Sequence, residues 1–390
     1  MKGEGKVGGV TAPGGFRAAG VAAGIKESGQ PDVAVVVNDG PSAAAAGVFT
    51  ANRVKAAPVL WTQQVIRGGR VRAAVLNSGG ANACTGPAGF GDTHHTAERL
   101  AKALSVSAGE IAVCSTGLIG ERLPMDRLLT GVDSAAAAAW TGGGAAAADA
   151  IRTTDTVSKM CRVAGTGYEI GGMAKGAAML APALATMLVV LTTDADLGAA
   201  ELDAALRGAV ATTFDRLDTD GCMSTNDTVL LLASGAAGVR PDPGEFAALL
   251  TQGCADLARQ QQLDAEGASK AIDIVVTGAA SEDDAVIAGR AVARSDLLKC
   301  AIGGEDPNWG RVLAAVGTTD AVFEPDRLNV AINGVWVCRN GSAAEDRSGV
   351  DLRPRDVTIT IDLAAGPHAV TIRTTDLTAA YVHENSAYST

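Results

Sequence analysis

One apolar run, between residues 175 and 192, constrains this chain more than any other segment. It is too short to cross a membrane as a helix, and it is interrupted by Pro182 and Thr186. Its last part, residues 186–192, is rich in Val and Leu, which predicts a β-strand. A hydroxyl residue directly after the small Ala185 is unusual at the start of a core strand, so this pair of residues needs an explanation of its own.

The residues alone leave two explanations of Thr186 open. Most Thr residues in apolar strands are ordinary β-branched members of a core or a sheet edge. The alternative is a self-cleaving precursor, in which the Thr186 hydroxyl attacks the carbonyl of Ala185 and the chain breaks between them. The new α-amine, with a reference pKa of about 7.7–8.0, would be partly neutral near pH 7 and would then activate the same hydroxyl.

Composition limits the class of protein. The chain has 390 residues, of which 47% are hydrophobic and 3% aromatic, so a large core must be built from Ala, Val and Leu. The net charge of −11 and the lack of a Lys/Arg-rich run argue against a nucleic-acid partner. The Gly-rich start has no continuous apolar segment of the signal-peptide type, and we expect a cytoplasmic protein with no membrane partner.

Metal, disulfide and dinucleotide sites are not predicted. The seven cysteines are widely spaced and include no Cys-x-x-Cys pair, which favours reduced thiols over a zinc site or a disulfide framework. His94 and His95 are adjacent and cannot share a helix face, which argues against a metal cluster. The Gly-x-Gly-x-x-Gly match at residues 3–8 follows no strand, and we attribute it to chance.

The pattern of apolar residues predicts an α/β layered protein with strands and long helices in both halves. The predicted strands cover residues 32–38, 47–50, 59–62, 71–77, 111–115, 186–192, 227–232, 271–277, 328–332, 335–339, 357–363, 368–374 and 379–383. The predicted helices cover residues 92–104, 123–140, 144–152, 198–213, 242–262 and 282–294. Because no linker or repeat separates the halves, we expect them to share one fold.

A second candidate segment, residues 113–124, runs from a predicted strand into a turn that contains Thr116 and Gly117. One interpretation is a plain strand-to-helix turn. The other is an oxyanion hole, because glycine lets backbone N–H groups approach a tetrahedral oxyanion closely, and the Thr116 hydroxyl adds a donor. The residues alone leave both interpretations open.

Several separated segments resemble, in chain order, the ornithine acetyltransferases, the bifunctional glutamate N-acetyltransferases of arginine biosynthesis. The processing site of that family is similar to Lys175-Gly-Ala-Ala-Met-Leu-Ala-Pro-Ala-Leu-Ala-Thr-Met-Leu188. Its oxyanion segment is similar to Ser115-Thr-Gly-Leu-Ile-Gly120. Further similar blocks occupy residues 46–50, 77–86, 220–229, 266–270, 306–311 and 381–390, so the resemblance covers nearly the whole chain.

The resemblance implies a self-cleaving α-β-β-α layered fold with an N-terminal Thr nucleophile. Cleavage between Ala185 and Thr186 would divide the chain into fragments 1–185 and 186–390. Thr186 is the implied nucleophile, and Thr116 and Gly117 form the implied oxyanion hole. The implied substrate contacts are Thr153, Lys175, Thr186, Glu266, Asn385 and Thr390, with Thr154 as the alternative to Thr153.

The activity implied by the resemblance is acetyl transfer from N-acetylornithine to glutamate through an acetyl-Thr186 intermediate, with no metal or bound cofactor. The residue types suit such substrates, because a Lys ammonium pairs with an α-carboxylate and a Glu carboxylate with the side-chain ammonium of ornithine. The implied assembly is a heterotetramer with two copies of each fragment. Whether acetyl-coenzyme A also serves as donor stays open.

Two alternatives to this activity stay open as well. In an N-terminal-nucleophile amidase or aminopeptidase of related fold, water replaces glutamate as the acceptor, and free acetate is the product. In a non-catalytic relative that binds ligands or partners, the chain would remain intact at Thr186.

Overall fold

The computed structural model describes residues 8–180 and 187–387 and divides into two compact units. Within the described chain, the first unit comprises residues 8–215 and 222–261, and the second comprises residues 216–221 and 262–387. Strands from both sides of the predicted cleavage point belong to the first unit. The boundary between the units therefore differs from the boundary between the predicted fragments.

The first unit combines two β-sheets with helices. Its strands are β1 (Phe16–Val21), β2 (Val33–Asn38), β3 (Ala45–Phe49), β4 (Ala73–Gly80), β5 (Ile111–Leu118), β6 (Lys159–Ala164), β7 (Glu169–Lys175), β8 (Leu188–Thr193) and β9 (Thr228–Ala233). Its helices are α1 (Ala57–Arg67), α2 (Gly86–Leu104), α3 (Met125–Ala138), α4 (Gly144–Ala150), α5 (Ala199–Thr212) and α6 (Pro243–Leu263), the last of which ends inside the second unit's residue range.

The strand order is β1-β2-β4-β5 in one sheet and β3-β9-β8-β7-β6 in the other. Neighbours are antiparallel except for the parallel pairs β4–β5 and β8–β9. Strand β8, which follows the predicted cleavage point, lies between β7 and β9. Both of its edges are therefore hydrogen-bonded within the sheet.

The two sheets of the first unit pack face to face. Ala34 and Val36 of β2 enter a core shared with Val190 and Leu230 of the second sheet. Their neighbours in β2 point to the opposite face, where they form a second cluster with α2 and α3. This alternation follows from the two-residue period of side chains along a strand.

Helices cover the outer face of the second sheet. Helix α5 packs against β3. Helix α6 lies against β6 and β7, where a side chain added at Gly172 would come within 3.2 Å of Leu257. The order helix, sheet, sheet, helix confirms the predicted α-β-β-α layering.

The Ala- and Gly-rich composition allows these elements to approach one another closely. At Gly20 of β1, an added Cβ would lie 1.9 Å from the carbonyl oxygen of Ala146 in α4. Only glycine fits at this crossing, so small residues, rather than large aromatic ones, set the spacing between α4 and the sheet.

The second unit contains one sheet, a set of packed helices and α10. Its strands are β10 (Ala271–Ala279), β11 (Asn329–Ile332), β12 (Val335–Arg339), β13 (Ser342–Ala343), β14 (Asp356–Asp362) and β15 (His368–Thr375), in the order β13-β12-β11-β14-β10-β15. Its helices are α7 (Glu282–Ala293), α8 (Asp296–Gly303), α9 (Trp309–Val316) and α10 (Ala379–Ala387). Residues of α7, α8 and α9 share one apolar core with the sheet.

Two predicted strands are wrong. Residues 59–62 belong to helix α1, in which Val59, Thr62 and Val65 are buried at helical spacing and Pro58 occupies the first turn. Residues 379–383 belong to helix α10, which begins where the Tyr381 N–H donates to the Thr378 hydroxyl at 3.1 Å. In both segments β-prone side chains suggested a strand, whereas the helix-start signals decide the conformation.

Other elements are absent from the prediction. Strands β1, β6, β7 and β13 and helices α8 and α9 were not predicted from the sequence. Within the described residues, no helix is both long and apolar enough to span a membrane.

Candidate active site

The predicted oxyanion segment ends strand β5, beside the parallel strand β4. Thr116 pairs with Ser78 and Gly117 with Gly79. Gly117 has a φ of +131°, and a Cβ there would lie 2.4 Å from the Gly80 nitrogen. The two backbones can therefore approach this closely only because residue 117 is a glycine, which has no Cβ.

Lys175, at the end of β7 in the facing sheet, reaches Thr116. Its Nζ donates to the Thr116 Oγ1 at 3.3 Å, and both residues are buried. An ammonium group has no acceptor, so the Thr116 hydroxyl accepts here and keeps its own proton to donate elsewhere. The structure thus brings together two residues that the sequence comparison singled out 59 positions apart.

A buried carboxylate, Asp155, organises the surroundings of Lys175. Its Oδ1 accepts from Lys159 Nζ at 2.6 Å and from the Gly176 N–H at 2.7 Å. Its Oδ2 accepts from the Thr153 N–H at 3.1 Å. Asp155 therefore ties the predicted contact residue Thr153 to the backbone directly after Lys175.

The electrostatics keep Asp155 ionised. Burial alone would raise the pKa of Asp155, but the charges of Lys175 and Lys159 and the Gly176 N–H outweigh burial and hold the pKa at about 2. At neutral pH a permanent negative charge therefore faces the two buried lysines.

Sequence reasoning missed four of the polar residues around Lys175 and β8. Asp155 pairs with Lys159, and the Gln261 Nε2 donates to the Lys175 carbonyl at 3.0 Å. Asp227, which is fully buried, accepts from the Met187 N–H at 2.9 Å. The four-residue spacing of Asp155 and Lys159 was visible in the sequence, but nothing there indicated that the pair is buried.

In the second unit, the structure brings together Glu266 and Asn385. The Asn385 Nδ2 donates to the Glu266 Oε2 at 3.0 Å. Helix α10, which carries Asn385, is held to the same turn because the Thr378 hydroxyl donates to the Gly267 carbonyl at 2.6 Å. Two predicted substrate contacts are therefore neighbours in this unit.

The remaining predicted residues, Ala185, Thr186 and Thr390, lie outside the described residues. In the part of the chain that the structure describes, no three His, Cys, Asp or Glu side chains form a group able to hold a metal ion.

The stacked sheets, with the buried contact between Lys175 and Thr116, define a layered α/β protein with a polar centre. Comparisons with known proteins identify its family. The ArgJ family model matches residues 17–390. The chain is 70% identical over 381 residues to the arginine biosynthesis bifunctional protein ArgJ of Thermobifida fusca, covering 98% of this chain and 100% of that protein. It is 59% identical over 389 residues to the protein of the same name from Mycobacterium tuberculosis, covering 98% and 96%. The chain belongs to the ArgJ family.

Among solved structures, the chain is similar to an ornithine acetyltransferase of Mycobacterium tuberculosis complexed with ornithine. The sequence identity is 61% and the TM-score 0.43, and the alignment covers 46% of this chain and 97% of that chain.

Proposed function

We propose that this chain is an acyltransferase of arginine biosynthesis that moves the acetyl group of N-acetylornithine to glutamate after cleaving itself between Ala185 and Thr186. The observation that carries the proposal is the buried contact between Lys175 and Thr116. It joins the ends of β7 and β5 at the point where the chain enters the segment that leads to Thr186. Membership of the ArgJ family supports the same activity, since its relatives are named as bifunctional proteins of arginine biosynthesis.

Cleavage begins when the Thr186 hydroxyl attacks the carbonyl carbon of Ala185. The tetrahedral oxyanion accepts hydrogen bonds from the Thr116 hydroxyl and the Gly117 N–H. The C–N bond then breaks, the nitrogen takes up a proton, and an ester joins Ala185 to the Thr186 oxygen. Water hydrolyses this ester and leaves a carboxylate on Ala185 and a free amine on Thr186.

The two fragments stay associated because they share a sheet. Strand β7 precedes the cleavage point and β8 follows it, and they pair in antiparallel register from Ile170↔Thr193 to Lys175↔Leu188. We propose an assembly of two copies of each fragment, located in the cytoplasm. Sedimentation or light scattering of the cleaved protein measures the stoichiometry.

Acetyl transfer uses the same groups in two half-reactions. The Thr186 hydroxyl loses its proton to its own amine and attacks the acetyl carbonyl of N-acetylornithine, and ornithine leaves with a proton on its nitrogen. The amine of glutamate then attacks the acetyl-Thr186 ester, and the Thr186 oxygen leaves and regains a proton. Because Lys175 donates to the Thr116 hydroxyl, it strengthens the hydrogen bond that this hydroxyl gives to each oxyanion.

The substrate contacts follow from charge. Lys175 and the Thr153 turn are proposed to bind the α-carboxylate of the amino-acid substrates, with Thr154 as the alternative to Thr153. Glu266, whose carboxylate is oriented by Asn385, is proposed to bind the side-chain ammonium of ornithine. Thr390 is proposed as a further polar contact.

The test combines mass spectrometry of the purified protein with product analysis. We expect two fragments that begin at residues 1 and 186, and transfer of acetyl from N-acetylornithine to glutamate. Free acetate as the main product, with or without glutamate, would favour an amidase. An intact chain without transfer would favour a non-catalytic relative.

We expect the Thr116→Ala variant to reduce kcat by about 10²–10³-fold, the loss typical of one oxyanion donor. KM for N-acetylornithine should change far less, because the donor acts on the oxyanion rather than on the bound substrate. Steady-state kinetics measure both quantities, and Thr116→Ser, which keeps the hydroxyl, is the matched control. An unchanged kcat would leave the oxyanion to backbone N–H groups alone.

We expect the Glu266→Gln variant to lose donor selectivity. The amide keeps the shape of the carboxylate and its partner Asn385 but removes the charge. The kcat/KM for N-acetylornithine should therefore fall more than that for an uncharged N-acetyl amino acid. Glu324→Gln, an exposed carboxylate in the same unit, is the control. Equal losses on both donors would contradict an ammonium contact at Glu266.

A further inference from the structure

Lys26 is a charged residue near the candidate site that the reaction described so far does not use. It lies in the loop between β1 and β2, and the fully buried Asp32 holds this loop. The Asp32 Oδ1 accepts from the Ala23 N–H at 2.6 Å. Its Oδ2 accepts from the Ile25 N–H at 2.6 Å and from the N–H of Lys26 itself at 3.0 Å. Three backbone contacts therefore fix the course of the loop and the place of Lys26 within it.

The loop lies against the end of β4, beside the proposed oxyanion hole. A Cβ added at Gly79 would lie 3.1 Å from the Ile25 Cγ2 and 3.3 Å from the Lys26 Cγ. Gly79 pairs with Gly117 in the neighbouring strand β5. The aliphatic part of the Lys26 side chain is therefore one strand away from Gly117.

The turn that carries Thr153 is close to the same end of β4. The Ser78 hydroxyl donates to the Ala150 carbonyl, directly before this turn, at 2.7 Å. The ammonium of Lys26 interacts electrostatically with Asp155, which accepts from the Thr153 N–H. Lys26 and Thr153 are both half-buried, so a ligand that binds at the Thr153 turn comes within the field of the Lys26 ammonium.

The ammonium of Lys26 has donors to spare. Within residues 8–180 and 187–387, its Nζ makes a single hydrogen bond, to the Pro31 carbonyl at 2.8 Å, and no ion pair. An ammonium has three N–H donors, so two of them are available to a ligand. Burial lowers the pKa of Lys26, against the opposing charge of Asp32. A carboxylate next to Nζ would offset this cost of burial.

The carboxylates of the turn do not supply that partner. Asp149 pairs with Arg152 at 2.5 Å, and Asp155 pairs with Lys159 at 2.6 Å. Each of these two carboxylates is therefore matched by another cation, and Lys26 is the cation left for a ligand.

We propose that Lys26 is a specificity-determining residue that binds the side-chain carboxylate of the glutamate acceptor. This inference rests on the proposed function. Both substrates have an α-carboxylate, for which Lys175 is proposed, but only glutamate has a second carboxylate. The ornithine side chain ends in an ammonium, which Lys26 repels. Lys26 therefore acts in the second half-reaction, where it favours glutamate over ornithine as the acceptor of the acetyl group.

The test uses Lys26→Met in the full chain, which keeps an unbranched side chain and removes the charge. The kcat/KM for glutamate should fall by about 10–10²-fold, the loss expected for a hydrogen bond between charged groups. Cleavage and the kcat/KM for N-acetylornithine should stay close to the parent values, because each kcat/KM of a ping-pong cycle reports its own half-reaction. Hydroxylamine, an acceptor without a carboxylate, should take the acetyl group from the variant as fast as from the parent.

Two variants serve as controls. Lys26→Arg keeps the positive charge and should retain most of the kcat/KM for glutamate. Lys102→Met removes an exposed lysine of α2 and should behave like the parent for both acceptors.

A parent-like kcat/KM for glutamate in Lys26→Met would overturn the inference. Equal losses for glutamate and hydroxylamine would also overturn it, because the loop would then support the oxyanion hole rather than the acceptor. A parent protein that neither cleaves nor transfers would instead refute the proposed function.

Discussion

The Thr186→Ala variant is expected to remain a single chain of 39.0 kDa and to transfer no detectable acetyl group. Without the hydroxyl, no ester forms with Ala185, and no acetyl-enzyme forms either, so both reactions fail for one reason. Removal of the nucleophile costs on the order of 10⁶ in kcat in a well-studied serine protease, and a similar loss is expected here. Denaturing electrophoresis and intact mass measure the first effect, and a coupled assay for N-acetylglutamate measures the second.

Two control variants test whether the expected losses are specific to the Thr186 hydroxyl. Thr186→Ser keeps a hydroxyl and should still cleave and transfer. Thr192→Ala removes a hydroxyl from β8, where it donates to the Val10 carbonyl at 2.9 Å, and should cleave like the parent. Fragments in Thr186→Ala, or a parent whose second fragment begins elsewhere, would contradict the proposed mechanism.

The fold was predictable where the local pattern and the packing agree. Strand β2 alternates between two apolar faces, and β12 was predicted with the bounds that the structure has, Val335–Arg339. Helix α1 was not, because the β-prone segment 59–62 was interpreted without the burial of Val65 one turn later. Strands β6 and β7 were missed because Gly and polar residues interrupt their apolar pattern.

The residues of the candidate site were also predictable only in part. Thr116, Gly117 and Lys175 were predicted from the family resemblance. A resemblance identifies residues by their motifs and does not require knowledge of which side chains are in contact. Asp155 could not be predicted, because its role depends on Gly176, 21 positions away, and on burial that only the stacked sheets create. Asp227 likewise could not be predicted, because the N–H from which it accepts belongs to Met187, 40 positions earlier in the chain.

Asp155→Ala is expected to lower the free energy of unfolding of the first unit by about 3–5 kcal/mol, the cost of breaking a buried ion pair from one side. The change removes the carboxylate that Lys159 faces and the acceptor of two backbone N–H groups, those of Thr153 and Gly176. Urea unfolding should be measured in the Thr186→Ala background, because a single chain makes the midpoint independent of fragment association. Hydrogen exchange in β4 and β5 assigns the loss to the first unit.

Asp351→Ala is the matched control for this loss. A side-chain hydrogen bond from Arg353 holds the pKa of Asp351 at about 2, the same value as for Asp155. Asp351 is exposed, so solvent screens its ion pair, and its removal should change stability little. Equal losses in the two variants would show that burial of Asp155 has no energetic consequence.

The contribution of Asp155 is also expected to disappear in acid. Its folded pKa of about 2 lies below the ordinary value of 3.8, so the stabilisation is present above about pH 4 and is lost as the pH falls towards 2. The difference in unfolding free energy between the Thr186→Ala parent and its Asp155→Asn derivative should be constant from about pH 5 to 7 and shrink by about 2 kcal/mol between about pH 4 and 2. Urea unfolding at each pH measures this difference. A difference that does not change across that window would mean that the buried lysines face a carboxyl group whose charge contributes nothing to the fold.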